Sequence, residues 1–73
     1  MIRDKKTAKN VRDILLKCSA DLNGSIRDVQ QNCSDEEFGN YRRAMSKVLG
    51  EILFEGLNPL FDKHPDLKPE GFE

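Results

Sequence analysis

The apolar side chains of residues 11–33 recur at intervals of three and four positions, the spacing of one face of an α-helix. Asn23-Gly24 in the middle of this stretch is a strong turn signal, yet the stripe keeps its phase through it. At 100° per residue, its members stay within about 60° of one direction. We therefore predict one helix over about residues 7–32, with two helices hinged at Gly24 as the alternative. The stripe consists of Val11, Ile14, Leu15, Cys18, Leu22, Ile26, Val29 and Cys33.

A second stripe follows the sequence Ser34-Asp35-Glu36-Glu37, which is typical of a capping box. Ser34 can accept from the backbone N–H of Glu37, and the Glu37 side chain can reach back to the N–H of Ser34. We predict a helix over about residues 35–57. The link between the two helices is very short, so they should lie antiparallel. The second stripe consists of Phe38, Tyr41, Met45, Val48, Leu49, Ile52 and Leu53.

Asn58-Pro59 interrupts the second helix. Proline lacks a backbone N–H and would clash with the carbonyl of Glu55, so a straight helix should kink or stop near Leu57. Asn58 is a good N-cap and Pro59 a good first helical residue. We therefore predict a kinked or restarted turn over residues 59–63.

The apolar pattern widens at this end of the chain. Phe54, Leu57 and Phe61 point away from the stripe that begins at Phe38, and a helix with two apolar sides contacts two things. Residues 64–73 form a proline-containing, non-helical tail. Its apolar side chains either fold back over Phe54 and Phe61 or leave the tail loose. Those side chains are Leu67 and Phe72.

Seventy-three residues make one domain at most, and two helices alone do not enclose a core. A disulfide is not expected to staple it. Cys18 and Cys33 would lie roughly 22 Å apart along one helix, whereas a disulfide needs Cα atoms within about 7 Å. These cysteines and the single histidine, His64, show none of the paired spacings of a zinc site. We therefore predict an all-α, antiparallel two-helix hairpin that pairs with a second copy into a four-helix bundle.

The homodimer prediction places the apolar positions in the interface with the second copy, or with a partner helix in the alternative. The groove near Phe54, Leu57 and Phe61 is the expected place for another protein. The predicted interface residues are Val11, Ile14, Leu15, Leu22, Ile26, Val29, Tyr41, Met45, Val48, Leu49, Ile52, Leu53, Phe54, Leu57 and Phe61.

Charge is balanced overall but unevenly distributed. The net charge of −1 gives no global field that would attract nucleic acid or an anionic membrane. Residues 1–20 hold six basic and two acidic side chains, and residues 51–73 hold two basic and six acidic ones. An antiparallel hairpin would bring these ends together, where such pairs select orientation more than they add stability. No membrane-spanning or signal segment is visible, so we expect a cytoplasmic, reduced protein.

Few residues suggest chemistry. His64 could be a general base, but a cation beside a helix C-terminus explains it more simply. Cys18 and Cys33 could be redox thiols, but their place on the apolar stripe favours small core side chains. The glycines are scattered and form no phosphate loop, while Gly56 lies on the apolar stripe and favours close helix approach. We predict no enzyme activity, metal or cofactor.

A basic cluster supports an alternative function. Positive side chains on both helices could contact phosphates, although a solvated face is the simpler explanation. We therefore predict a non-enzymatic, dimeric protein-interaction or regulatory module, with a small dimeric nucleic-acid-binding protein as the alternative. The alternative would use Lys9, Arg12, Arg42, Arg43 and Lys47.

The run EEFGNYRRAMSKVLGEILFEGLNPLF, with the HPDLKPEGF that follows, covers roughly the C-terminal half of the chain. It resembles a group of small uncharacterised bacterial helical-hairpin proteins with the same ending. The Asn58-Pro59 step and the tail from His64 to Gly71 are its most distinctive parts. The group has no assigned activity, so the resemblance implies no functional residues. It implies a complete natural protein of bacterial origin.

Overall fold

The computed structural model describes residues 2–70, which form two long helical rods. The first rod is α1, Lys5–Asn32. The second consists of α2, Asp35–Glu51, a π-helical turn, Ile52–Leu57, and α3, Asn58–Lys63. A short 3₁₀ turn, Pro65–Leu67, follows. No strand occurs within residues 2–70, so the predicted all-α class is confirmed.

The start of α1 is fixed by Asp4. Its carboxylate accepts hydrogen bonds from the backbone N–H of Thr7 at 2.8 Å and from the Thr7 hydroxyl at 2.7 Å. This is an N-cap, and it makes the helix begin earlier than the predicted residue 7. The helix then continues through Gly24 without a hinge. Ser25 does not cap a second helix, because its hydroxyl donates back to the carbonyl of Leu22 at 2.7 Å.

The capping box at the start of α2 is confirmed. The backbone N–H of Glu37 donates to Ser34 Oγ at 3.1 Å, and the backbone N–H of Ser34 donates to Glu37 Oε1 at 3.0 Å. Two backbone donors that would otherwise have no helical partner are thereby satisfied.

The interruption predicted near Leu57 takes the form of a π-helical turn that ends at Leu57, after which α3 continues the rod through Pro59. The N–H of Asn58 donates to the carbonyl of Leu53, five residues back instead of four. This shift gives the backbone a wider turn just before the proline, where a regular α-helix would press its ring against the carbonyl of Glu55. Asn58 is consequently a helical residue and not the N-cap of a new helix.

The core lies at the end of the molecule where the chain termini meet. Leu60 is fully buried and Leu57 is 2% exposed. The remaining buried apolar side chains are Ala8, Phe61 and Leu67. Leu67 comes from the tail, so this part of the tail folds back onto the core, as in one of the two alternatives proposed, although Phe54 stays uncovered. Phe72, the other tail residue in that prediction, lies outside the described residues.

This core corrects the prediction of an outward groove at Phe54, Leu57 and Phe61. Leu57 and Phe61 are covered by the chain itself. Of the three, only Phe54 is exposed, at 66%. The physical reason is that the 3₁₀ turn after α3 places Leu67 in the same buried cluster as Leu57 and Phe61.

Contacts between the rods run in opposite order along the chain. Near the termini, Lys5 Nζ lies 2.6 Å from Asp66 Oδ2, and His64 Nε2 lies 2.7 Å from the carbonyl oxygen of Ile2. At the other end, the hydroxyls of Ser25 and Tyr41 are hydrogen-bonded at 2.8 Å. The N-terminal lead therefore contacts the tail.

Gly56 lets the rods approach each other, as predicted from its place on the stripe. A Cβ at this position would lie 3.1 Å from Leu15 Cδ1. That separation is well below the usual contact distance between carbon atoms, about 3.5–4.0 Å. A larger side chain would push Leu15 away from the second rod.

Both cysteines are exposed, which overturns their assignment to the core. Cys18 lies at the edge of the α1 stripe, beyond the side that α2 covers. Cys33 follows the last residue of α1 and belongs to the connection. The stripe is wider than the strip of α1 that one neighbouring helix covers, so its edge remains in solvent.

Candidate interaction site

The described part of the chain offers a surface and no cavity. No pocket is found in it, and residues 2–70 contain no group of three or more His, Cys, Asp or Glu side chains that could hold a metal ion. None of the helices in this range combines the length and apolar character required to cross a membrane. A functional site among these residues is therefore sought on the outside of the rods.

The hydrogen bond between Ser25 and Tyr41 shows which flanks of the rods look in the same direction. Each residue belongs to a stripe at helical spacing on its own rod. We call the two stripes together the open face. On α1 the open face comprises Ile14, Cys18, Asp21, Ser25 and Asp28, and on α2 it comprises Glu37, Tyr41, Ala44, Val48 and Glu51.

The large exposed apolar side chains of the open face lie on one side of the Ser25–Tyr41 bond. Ile14 is 61% exposed and Val48 is 41% exposed. Cys18 lies seven residues before Ser25, and Val48 lies seven residues after Tyr41. Because the rods run in opposite directions, Cys18 and Val48 lie at the same level, about 10 Å from the Ser25–Tyr41 bond.

The rim of the open face is acidic, with four carboxylates and no lysine or arginine in either stripe. Lys17 lies beside the face and pairs with Asp21, Nζ to Oδ2, at 3.1 Å. The backbone N–H of Ser34 is the main cause that holds the pKa of Glu37 below its usual value, so this carboxylate stays charged. Asp28 and Glu51 form no ion pair with any residue from 2 to 70. The face therefore combines exposed apolar side chains with negative charge.

The predicted interface residues divide into three groups. Leu57 and Phe61 lie in the core, and Phe54 lies off the open face. Ile14 and Val48 are exposed on it. The others are half-buried: Val11, Leu15, Leu22, Ile26, Val29, Tyr41, Met45, Leu49, Ile52 and Leu53.

Phe54 is the most exposed large apolar side chain of the described residues, but it is isolated. It follows Val48 by six residues, which is not a helical neighbour spacing. Its ring packs back along its own rod, with Cε2 4.0 Å from the place of a Cβ on Gly50. Single exposed apolar residues are common on protein surfaces, and Phe54 needs no partner.

The predicted nucleic-acid contacts have different surroundings in the structure. The Arg12 guanidinium donates to the carbonyl of Leu67 at 3.0 Å and to Asp13 Oδ1 at 3.0 Å. Arg42 lies over the ring of Phe38, 5.7 Å from its centre. Arg43 and Lys47 share an outward stripe about 100° away from Arg42. Lys9, on the other rod, is exposed.

His64 is a buried residue at the end of α3, and its contacts are structural. It caps the C-terminus of α3, its backbone N–H donates to the carbonyl of Leu60, and its side chain is only 7% exposed. A carbonyl oxygen only accepts, so Nε2 donates to the carbonyl of Ile2. With this nitrogen engaged and the ring covered, the histidine holds the N-terminal lead against the tail.

Sequence reasoning missed the acidic rim and the exposure of Cys18. A signal was available: counting by threes and fours from Ile14 gives Cys18, Asp21 and Asp28, so the apolar edge of α1 turns acidic along its length. Only the Ser25–Tyr41 contact shows that the edge of α2 with the same character faces the same way.

Comparison with protein families, curated proteins and solved structures finds no match to this chain.

Proposed function

We propose that this chain is a non-enzymatic protein-interaction module that acts through its open face. The hairpin supplies two helices of a four-helix bundle, and the open face receives the helix or helices that complete it. The observation that carries the proposal is the joint exposure of Ile14 and Val48 on one side of the molecule.

The exposure of Ile14 and Val48 contrasts with the burial of the apolar side chains at the end of the molecule that holds the core. The core around Leu57 and Leu60 is closed by the tail, so at that end of the molecule the chain buries its own apolar side chains. At the middle of the rods Ile14 and Val48 remain partly exposed, at 61% and 41%. Burial of each such side chain contributes about 1.5–3 kcal/mol, reduced by the fraction already covered. A partner that covers these two side chains would gain this free energy of burial.

Nucleic-acid binding has less support. Arg12 already uses its guanidinium within the chain, and Arg42 lies over the ring of Phe38, away from the stripe that Arg43 and Lys47 share. The exposed apolar positions lie among carboxylates, which repel phosphate. The interaction proposal requires no rearrangement of these groups.

Photo-crosslinking in the cells that make the protein tests the proposal. A photoreactive amino acid replaces Val48 on the open face or, as the matched control, Phe54 off it. We expect covalent adducts from position 48 and few from position 54, because only position 48 would lie in an interface. Equal adduct formation from both positions, or none from position 48, would contradict the proposal.

A further inference from the structure

We propose that the occupant of the open face is a basic amphipathic helix of another protein, in preference to a second copy of this chain. The inference rests on the proposed function and names the partner's chemistry. It follows from the four carboxylates that accompany the exposed apolar side chains of the open face.

A second copy would place the same acidic face against the first. Four carboxylates would then approach four more, and Lys17, which lies beside them, is already paired with Asp21. Like charges brought together at an interface disfavour that pairing. A helix with lysine or arginine on both sides of an apolar stripe would instead pair with Asp28 and Glu51, which have no ion-pair partner within residues 2–70.

The second copy is also less needed than the sequence suggested. The homodimer prediction assumed that two helices alone do not enclose a core, and that Leu57 and Phe61 offered additional surface for a partner to cover. The tail supplies that cover through Leu67. What remains uncovered is a narrow strip along the middle of the rods, which one additional helix can fill.

The geometry sets the size of that helix. Ile14 and Asp28 are fourteen residues apart on α1, about 21 Å at the rise of an α-helix. A partner helix of about four turns spans this distance. Its apolar side chains, at helical spacing, would lie over Ile14, Cys18 and Val48, as in other helix-in-groove complexes.

The test uses the full chain and two synthetic peptides of about 18 residues, long enough for four to five helical turns. Both peptides carry a leucine stripe; one has lysine on each side of it and the other has glutamate. Fluorescence anisotropy measures the affinity at low and high salt. We expect the lysine peptide to bind at least about tenfold more tightly than the glutamate peptide, with a preference that weakens as salt screens the charges.

A charge-reversed variant makes the test specific to the open face. Asp28→Lys with Glu51→Lys should invert the preference, so that the glutamate peptide binds more tightly. Asp62→Lys with Glu70→Lys is the matched control: it changes the net charge equally at two exposed positions outside both stripes, and it should keep the preference for lysine.

Three outcomes would overturn the inference. Equal affinity for both peptides would remove the charge argument, and so would an inversion produced equally by the control pair. The third is a wild-type chain that sediments as a dimer and is dissociated by Val48→Lys, which would assign the face to a second copy. In that third case the open face would still be an interface, so the proposed function would stand. Its own failure is seen separately, as the absence of adducts from position 48.

Discussion

At the scale of single residues, three carboxylates fasten the ends of the helices. The hydrogen bond from Thr7 is the main cause that lowers the pKa of Asp4, and the hydrogen bond from Lys5 is the main cause that lowers the pKa of Asp66. The pKa of Glu37 is lowered by its hydrogen bonds with the backbone and the side chain of Ser34. A folded-state pKa below the unfolded one means that the ionised form favours folding. These contributions are complete above the unfolded pKa values, about 4, and are lost as pH falls through the folded values.

Asp4→Asn should make the stability of the chain less sensitive to acid. Asparagine caps a helix about as well as aspartate, so we expect little change at neutral pH. Because the amide does not titrate, the variant should lose less stability than the wild type between neutral pH and about pH 3. Urea unfolding followed by circular dichroism at both pH values measures the difference. Parallel losses in the two proteins would show that the Asp4 cap contributes nothing to acid sensitivity.

At the scale of elements, the helices themselves follow from local sequence rules, whereas their departures from regular α-helical geometry do not. The unbroken stripe of α1 outweighs the turn signal at Gly24, since one glycine inside a helix costs only about 1 kcal/mol. The Ser34 box is local and correctly predicted. The π-helical turn before Pro59 was missed, because proline indicates only that regular hydrogen bonding fails. The tertiary packing of Leu57 and Leu60 decides whether the rod breaks or widens.

The tail should behave as part of the fold. Leu67 is buried against the second rod, so Leu67→Ala should lower the free energy of unfolding by about 2–4 kcal/mol. Phe54→Ala is the matched control: it removes a larger but exposed side chain and should change stability by less than about 0.5 kcal/mol. Urea unfolding at neutral pH distinguishes them. Equal effects would mean that the tail does not cover the core in solution.

At the scale of the whole molecule, the rods form an elongated body of 44 × 20 × 15 Å with two different regions. The end with the chain termini is closed by the chain's own tail, and the middle carries the open face. The sequence predicted amphipathic helices but could not place this division, because it depends on where Leu67 packs and on which flanks the Ser25–Tyr41 contact aligns. These are contacts between residues distant in sequence.

The two natural cysteines allow the central claim to be tested without altering the chain. Cys18 lies within the open face and Cys33 in the connection between the rods, and both are exposed. Their rates of modification by a maleimide, resolved by mass spectrometry of peptides, are compared with and without the lysine-flanked peptide. With free peptide at ten times its dissociation constant, the account predicts that Cys18 reacts about tenfold more slowly while Cys33 keeps its rate. Equal slowing of both thiols, or no slowing of Cys18, would contradict it.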